Sequence, residues 1–193
     1  MRIIVSFLLM AGAFGCSLFE TREPENPVQS SATYDPPTTV DIVFANLVSS
    51  FQDINSVNYA RSFADSSFAG RSFVFEPTAQ ASSQYAGVFA SWTKVGEQQY
   101  FDNFKAQLQP GTVPVLIIAR TSESPGADSA FVEGTYQLSI PHTITGVPQT
   151  AIGRFQFYLL RDSRQYWVIW RWVDLANQPA DYTWSHFKGT FGQ

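Results

Sequence analysis

The sequence predicts an α+β fold, and three observations predict it. Apolar residues recur at helical spacing through the first half of the chain beyond Thr38. They alternate at strand spacing through the second half. Turn residues separate the alternating runs at short intervals. Helices and strands segregated in this way pack as helices on one side of an antiparallel sheet.

Thr38 or Thr39 can cap the first helix, with Asp41 in its first turn. Val40, Val43, Phe44, Leu47, Val48 and Phe51 then mark one helical face. Asp53 is expected to start a second helical piece, with Val57, Ala60 and Phe63 inward. Residues 72–76 read as a short strand stopped by Pro77. Residues 83–108 read as mostly helical, with Tyr85, Phe89 and Trp92 in one stripe. Tyr100, Phe101, Phe104 and Leu108 form a second stripe after a break at Gly96.

Pro110 and Gly111 mark the passage to strands. Residues 113–123 are rich in branched side chains, and residues 124–128 form a hairpin loop. In residues 130–140, Ala130, Val132, Gly134, Tyr136, Leu138 and Ile140 share one face. Glu133, Thr135, Gln137 and Ser139 share the other. Residues 141–148 form a second loop. Residues 151–160 place Ala151, Gly153, Phe155, Phe157 and Leu159 together, with Arg154 opposite. A turn at Asp162, Ser163 and Arg164 leads into a bulky strand over residues 166–173. Strict alternation there puts Trp170 and Trp172 on one face with Tyr166 and Val168. Trp167, Ile169 and Arg171 fall on the other.

Composition excludes several function classes. The chain has 193 residues and is 45% hydrophobic, enough for one sizeable core with short extras. A net charge of −4 with 12 Lys and Arg argues against nucleic acid as a partner. A single Cys excludes a disulfide framework and a cysteine zinc site. With two His, no metal site and no cofactor is indicated.

The N-terminus reads as an address. Arg2 precedes an apolar run over residues 3–14, too short to span a bilayer and of the length of a secretory core segment. It closes with Ala13, Phe14, Gly15 and Cys16, and Cys16 is the only Cys of the chain. This end resembles the lipobox of bacterial lipoproteins. The resemblance implies removal of residues 1–15, lipidation of Cys16 and attachment to a membrane through that lipid. An ordinary secretory signal and a buried N-terminal helix remain the alternatives. Ser17 after the Cys resembles lipoproteins sorted to the outer membrane, which places the chain in the cell envelope, facing the periplasm. Residues 16–37 are rich in Pro, Glu and Ser and read as a solvated tether. Glu20, Glu23 and Glu25 would hold it off an anionic membrane surface. The folded domain is then 38–193, including a C-terminal tail.

Several features of that domain resemble the nuclear-transport-factor-2-like (cystatin-like) superfamily. They are the capped helix before Phe51, a second helix with Asn58, Tyr59 and Ala60, and the short strand ending at Pro77. A helix near Trp92 and the Trp-rich last strand ending at Asp174 complete the pattern. The order and that last strand look like lipoproteins of no assigned function. The resemblance implies helices packed on a strongly curved antiparallel sheet that encloses a conical pocket. Its members include isomerases, cyclases and dehydratases, and also binding or dimerising domains without catalysis.

Catalysis of the isomerase or cyclase type needs an acid or base in the pocket and a donor for the developing oxyanion. Glu133 and Arg154 lie opposite the apolar faces of their strands, and Asp41, Asp53 and Asp174 read as capping residues. His142 in a loop and His186 in the tail read as surface residues. No phosphate loop or nucleophile motif is present, so no catalytic residue is assigned. The positive signal is aromatic, at 16% of residues with five Trp. Trp92, Tyr136, Trp170 and Trp172 are the candidate ligand or interface residues, offering apolar bodies with a polar handle. Packing in the core or under the tail, lining of a pocket, and a subunit interface are the three roles open to Trp170 and Trp172. Two functions follow. One is a non-catalytic binding or assembly module for a small apolar or amphipathic ligand, a second copy, or an envelope protein. The alternative is an isomerase or cyclase acting on a small amphipathic substrate.

Overall fold

The computed structural model describes residues 34–193, so Cys16, the leader and residues 16–33 of the tether lie outside the described residues. Helix α1 (Val40–Gln52) starts after Thr39, whose hydroxyl accepts the Ile42 N–H at 3.4 Å. Its Val43, Phe44, Leu47 and Phe51 face is buried. The packed chain begins before Thr38. Asn46 exchanges two hydrogen bonds with the Asp35 backbone, and the Trp167 N–H donates to Pro37 O at 2.7 Å.

Asp53 closes α1 as its C-cap and does not open the next helix. Ile54 takes φ 49°, and the Asn55 side chain accepts the Asn58 N–H at 3.0 Å. Asn55 therefore caps α2 (Ser56–Arg61). The later start turns Val57 to solvent and brings Tyr59 into the core beside Ala60 and Phe63. Asp65 caps the short α3 (Ser66–Ala69), and Gly70 ends it at φ 67°. Strand β1 (Val74–Glu76) follows.

The long helical stretch is three helices: α4 (Ala79–Gln84), α5 (Ala86–Phe89) and α6 (Lys94–Ala106). The breaks fall at Tyr85 and before an extended Thr93, not at Gly96. Gly96 sits inside α6 because a Cβ there would stand 3.3 Å from the Trp92 ring.

Strands β2 (Val115–Pro125), β3 (Ser129–Ser139), β4 (Thr150–Arg161) and β5 (Trp167–Leu175) form the antiparallel meander that the sequence predicts. β1 adds to it in parallel beside β5, giving the order β1-β5-β4-β3-β2. The inward faces of β3 and β4 are those read from the alternation. Across that pair, Gly134 lies opposite Phe155 and Gly153 opposite Tyr136, so each glycine makes room for an aromatic ring.

Strand β5 departs from strict alternation. Tyr158 pairs with Arg171 and the next residue, Leu159, pairs with Ile169, which leaves Trp170 as a bulge residue. A bulge shifts the two-residue period by one, so Ile169, Trp172 and Asp174 are all buried. Trp170 and Trp172 therefore do not share a face.

The tail is a helix, α7 (Trp184–Phe191), with nearly every residue buried. It packs on β4, α4 and α6, on the concave side of the sheet. Among the described residues no helix is long and apolar enough to cross a membrane.

The packing of β3 on β4 gives a direct test. A Cβ at Gly153 would stand 2.5 Å from Tyr136 Oη and 2.8 Å from Leu175 O. Gly153→Ala should destabilise the fold by about 1–3 kcal/mol. Gly87→Ala, which meets nothing within 4 Å, should change stability by less than about 0.5 kcal/mol. Urea unfolding of the two variants measures the contrast.

Candidate functional site

Helix α7 lies on the core face of the sheet, packed against β4, α4 and α6. Lys188 projects from α7 into the interior, where its Nζ lies 2.5 Å from Glu97 Oε1 on α6. Both side chains are 0% exposed. The same Glu97 Oε1 accepts the Trp92 indole N–H at 2.7 Å, and Oε2 accepts the Tyr59 hydroxyl at 2.7 Å. The carboxylate thus has three donors, and the ammonium has one acceptor. Rings supply the rest of its surroundings: Nζ lies 3.4 Å from the Trp172 centroid, 3.6 Å from Phe75 and 5.8 Å from Trp92. A cation over these faces is attracted by their quadrupoles, most strongly where water is absent. Burial still pushes the Lys188 ammonium down to about 8, against the opposing pull of Glu97. Burial and the Glu97 charge push the Tyr59 hydroxyl well above its ordinary range.

A second buried carboxylate holds the start of α7. Asp174, near the end of β5, accepts the Tyr136 hydroxyl at 2.7 Å and the Ser185 N–H at 2.8 Å. The Ser185 hydroxyl donates to the same carboxylate at 2.5 Å. Tyr136 Oη in turn accepts the Trp184 N–H at 2.8 Å. A negative charge at the first turn of a helix satisfies orphan N–H groups and complements the helix dipole. His186 Nδ1 accepts the Thr183 N–H at 3.0 Å, and burial lowers the ring's proton affinity. Between these two ends, Trp184 meets Trp172 at a centroid distance of 4.6 Å and donates its indole N–H to Tyr100 Oη.

Of the four aromatic candidates, Trp92, Tyr136 and Trp172 meet inside this network, and Trp170 does not. The Trp170 ring is half-buried against Tyr158 and the Arg71 guanidinium, away from the concave side. Asp174 caps the first turn of α7, the kind of role read from the sequence, but from a buried position at 1% exposure, and Glu97, which the sequence reading does not single out, is 0% exposed. His142 and His186 are not surface residues. His142 accepts the Ile144 N–H at Nδ1 and bonds Pro148 O through Nε2, which pins the 142–148 loop. Glu97 escaped the sequence reading because it sits in a polar stretch, and Lys188 because the segment around it reads as a tail. Thr183 followed by His186, with Trp184, Phe187 and Phe191 at helical spacing, is the signal that could have revealed α7.

Chemically, the two interior carboxylates are saturated by the domain's own donors, while the buried Trp172 indole N–H has no hydrogen-bond partner among the described residues. Each carboxylate oxygen named above accepts at least one protein donor, and the Lys188 ammonium is enclosed by rings and Glu97. The open spaces lie elsewhere. A groove of about 410 Å³ runs between α1 and β2, lined by Phe44, Ala45, Val48, Ile118 and Arg120. A polar hollow of about 120 Å³ includes Thr121, Glu133 and Arg154 in its lining. Among the described residues no group of His, Cys, Asp and Glu could hold a metal ion.

No protein-family model matches the sequence, and no curated protein matches it. Solved structures do match. The chain is similar to a conserved protein from Planctomyces limnophilus, with 8% identity and TM-score 0.53 over 69% of this chain and 90% of that one. It is also similar to a protein of unknown function from Mycobacterium tuberculosis, with 12% identity and TM-score 0.52 over 73% of this chain and 71% of that one. A nuclear transport factor 2-like superfamily protein from Salmonella enterica matches with 12% identity and TM-score 0.47, over 72% of this chain and 88% of that one. At these identities the likeness is one of fold, and the α+β fold class is the one that the sequence predicts.

The ion pair makes a prediction. Lys188→Met leaves Glu97 charged and buried, and should cost about 3–5 kcal/mol. Glu97→Gln should cost a similar amount by stranding the ammonium. The double variant Glu97→Gln with Lys188→Met should be more stable than the two losses added together. Urea unfolding of the four proteins closes the cycle.

Proposed function

We propose that this is a lipid-anchored cell-envelope protein, acylated at Cys16, whose domain is a non-catalytic binding or assembly module. The observation that carries the second half is the filled interior. Helix α7 sets Lys188, Trp184 and Phe187 where a substrate would have to sit, each buried to 1% exposure or less. An acid–base residue must come within hydrogen-bond reach of its substrate. Glu97 and Asp174, the carboxylates at the core of the domain, are instead committed to holding α7. An isomerase or cyclase reading would require α7 to leave the interior, breaking the Lys188–Glu97 and Ser185–Asp174 contacts together.

Binding then belongs to the outside of the domain. The groove between α1 and β2 suits a small apolar or amphipathic group, or a segment of an envelope protein. Val115 and Ile117 are exposed on the edge strand β2, at 51% and 55%, and Val113 just before it at 47%. Such an edge is open to a second copy or another chain. The anchor half rests on the sequence, in the run over residues 3–14 that ends at the only Cys.

Native mass spectrometry of the protein extracted from its own membranes tests both halves. The expected species begins at Cys16, carries acyl mass there, and retains an apolar molecule, a second copy or another envelope protein. An unacylated chain that still begins at Met1 would overturn the anchor. A bare monomer that turns over a ketosteroid-like or polyketide-like substrate would overturn the module.

A further inference from the structure

A second feature lies where the chain enters the domain. At Tyr34 the Arg61 guanidinium stands 5.0 Å from the ring centroid. Beside it, on the β4–β5 turn, Arg164 stacks 4.0 Å from the Phe68 ring and 5.5 Å from the Tyr166 ring. The Ser163 N–H donates to Phe68 O, tying that turn to α3. Arg71, the residue after the α3 cap Gly70, lies 4.6 Å from the ring of Trp170, the bulge residue that the interior excludes.

The charges at this end are unevenly matched. Arg61 and Arg71 have no carboxylate within ion-pair distance among the described residues. Arg164 shares the buried Asp162, and the neighbouring Asp65 pairs with Lys94. In a chain of net charge −4, Arg61 and Arg71 lie exposed without an ion pair among the described residues, with Arg61 donating to Asn58 Oδ1 at 3.2 Å. Phe68 stands among them, 41% exposed beside Gly70.

The combination selects a partner chemistry. Arginine binds phosphate through a planar fork, and its stem lies along apolar surface while the head reaches outward. Tryptophan and tyrosine settle at the headgroup level of a bilayer. Two exposed guanidiniums without an ion pair are too few for a nucleic-acid footprint. The exposed residues around Phe68 are Ser66, Ser67, Gly70 and Ser72, which suit shallow contact with a soft surface.

We propose that this end of the domain docks on an anionic phospholipid surface. Arg61, Arg71 and Arg164 meet headgroup phosphates, with Phe68 and Trp170 at headgroup level. The proposal deepens the lipid-anchored reading and rests on it for geometry, because Cys16 lies upstream of Tyr34. It also gives the domain an attraction that its tether lacks, since Glu20, Glu23 and Glu25 are repelled by such a surface.

The test uses the full protein purified from membranes, in nanodiscs of phosphatidylcholine alone or mixed with phosphatidylglycerol. Hydrogen exchange is read over residues 66–71 and 163–166. Exchange there should slow on the mixed discs only, and added salt should reverse the effect. Arg61→Gln with Arg71→Gln should lower the docked-to-undocked ratio by about thirtyfold. Thermal unfolding of the same variant should match the parent, because both side chains are exposed. Equal exchange on the two discs would overturn the proposal. So would protection that survives in the variant, or that appears only when another protein is added. Intact mass reads the anchor separately. If Cys16 proves unacylated, the same exchange comparison on phosphatidylglycerol vesicles still decides the docking surface.

Discussion

The Lys188–Glu97 pair is the constraint on which the rest of the interior depends. An ammonium and a carboxylate taken out of water are tolerable only together and with their remaining hydrogen-bonding capacity met. Glu97 obtains that from Tyr59 and Trp92, and Lys188 from the faces of Trp172 and Phe75. Each requirement recruits a different element: α2 for Tyr59, β1 for Phe75, β5 for Trp172 and α7 for Lys188. The pair therefore fixes where these elements meet. A buried pair adds little net stability over an apolar substitute, but it penalises any arrangement that separates its members. Asp174 does the same at the other end of α7, through Ser185 and Tyr136. Held at both ends, the helix has one register in the concavity.

That arrangement has a consequence for function. With the interior closed by the chain's own helix, the recognition proposed for this domain falls on its outer surfaces. The α1–β2 groove, the exposed β2 edge and the arginine–aromatic end near Tyr34 are separate features on different elements. Under the proposed anchoring, the end near Tyr34 faces the membrane and leaves the groove and edge to meet a partner. The five Trp divide accordingly. Trp92 and Trp172 enclose the internal charge, Trp184 packs on Trp172, Trp167 is buried under Arg161, and Trp170 lies half-buried on the outer face.

Much of the fold was legible because burial on one face leaves a period in the sequence. β3 and β4 alternate without a break, so the alternation alone names the inward residues of both strands. α1 shows its cap and its stripe together. What was not legible lacked a period. In β5 a bulge at Trp170 shifts the phase midway, so strict alternation assigns the later residues to the wrong face. In α7 nearly every residue is buried, so no polar face contrasts with an apolar one, and the segment reads as a tail. The candidate site was half legible for the same reason. Trp92, Tyr136 and Trp172 could be singled out as aromatic, whereas Glu97 looks like a surface residue among Lys94, Gln98 and Gln99. Its burial follows from tertiary partners that no local pattern announces.

The central claim is that α7 is part of the core and not a cover that opens. Native-state hydrogen exchange on the full protein tests it most directly. If the two buried carboxylates hold the helix as described, the hydrogen-bonded amides of α7 exchange only when β3 and β4 unfold, with the same opening free energy. Exchange of α7 amides through a separate opening of much lower free energy, with the sheet still protected, would contradict the account.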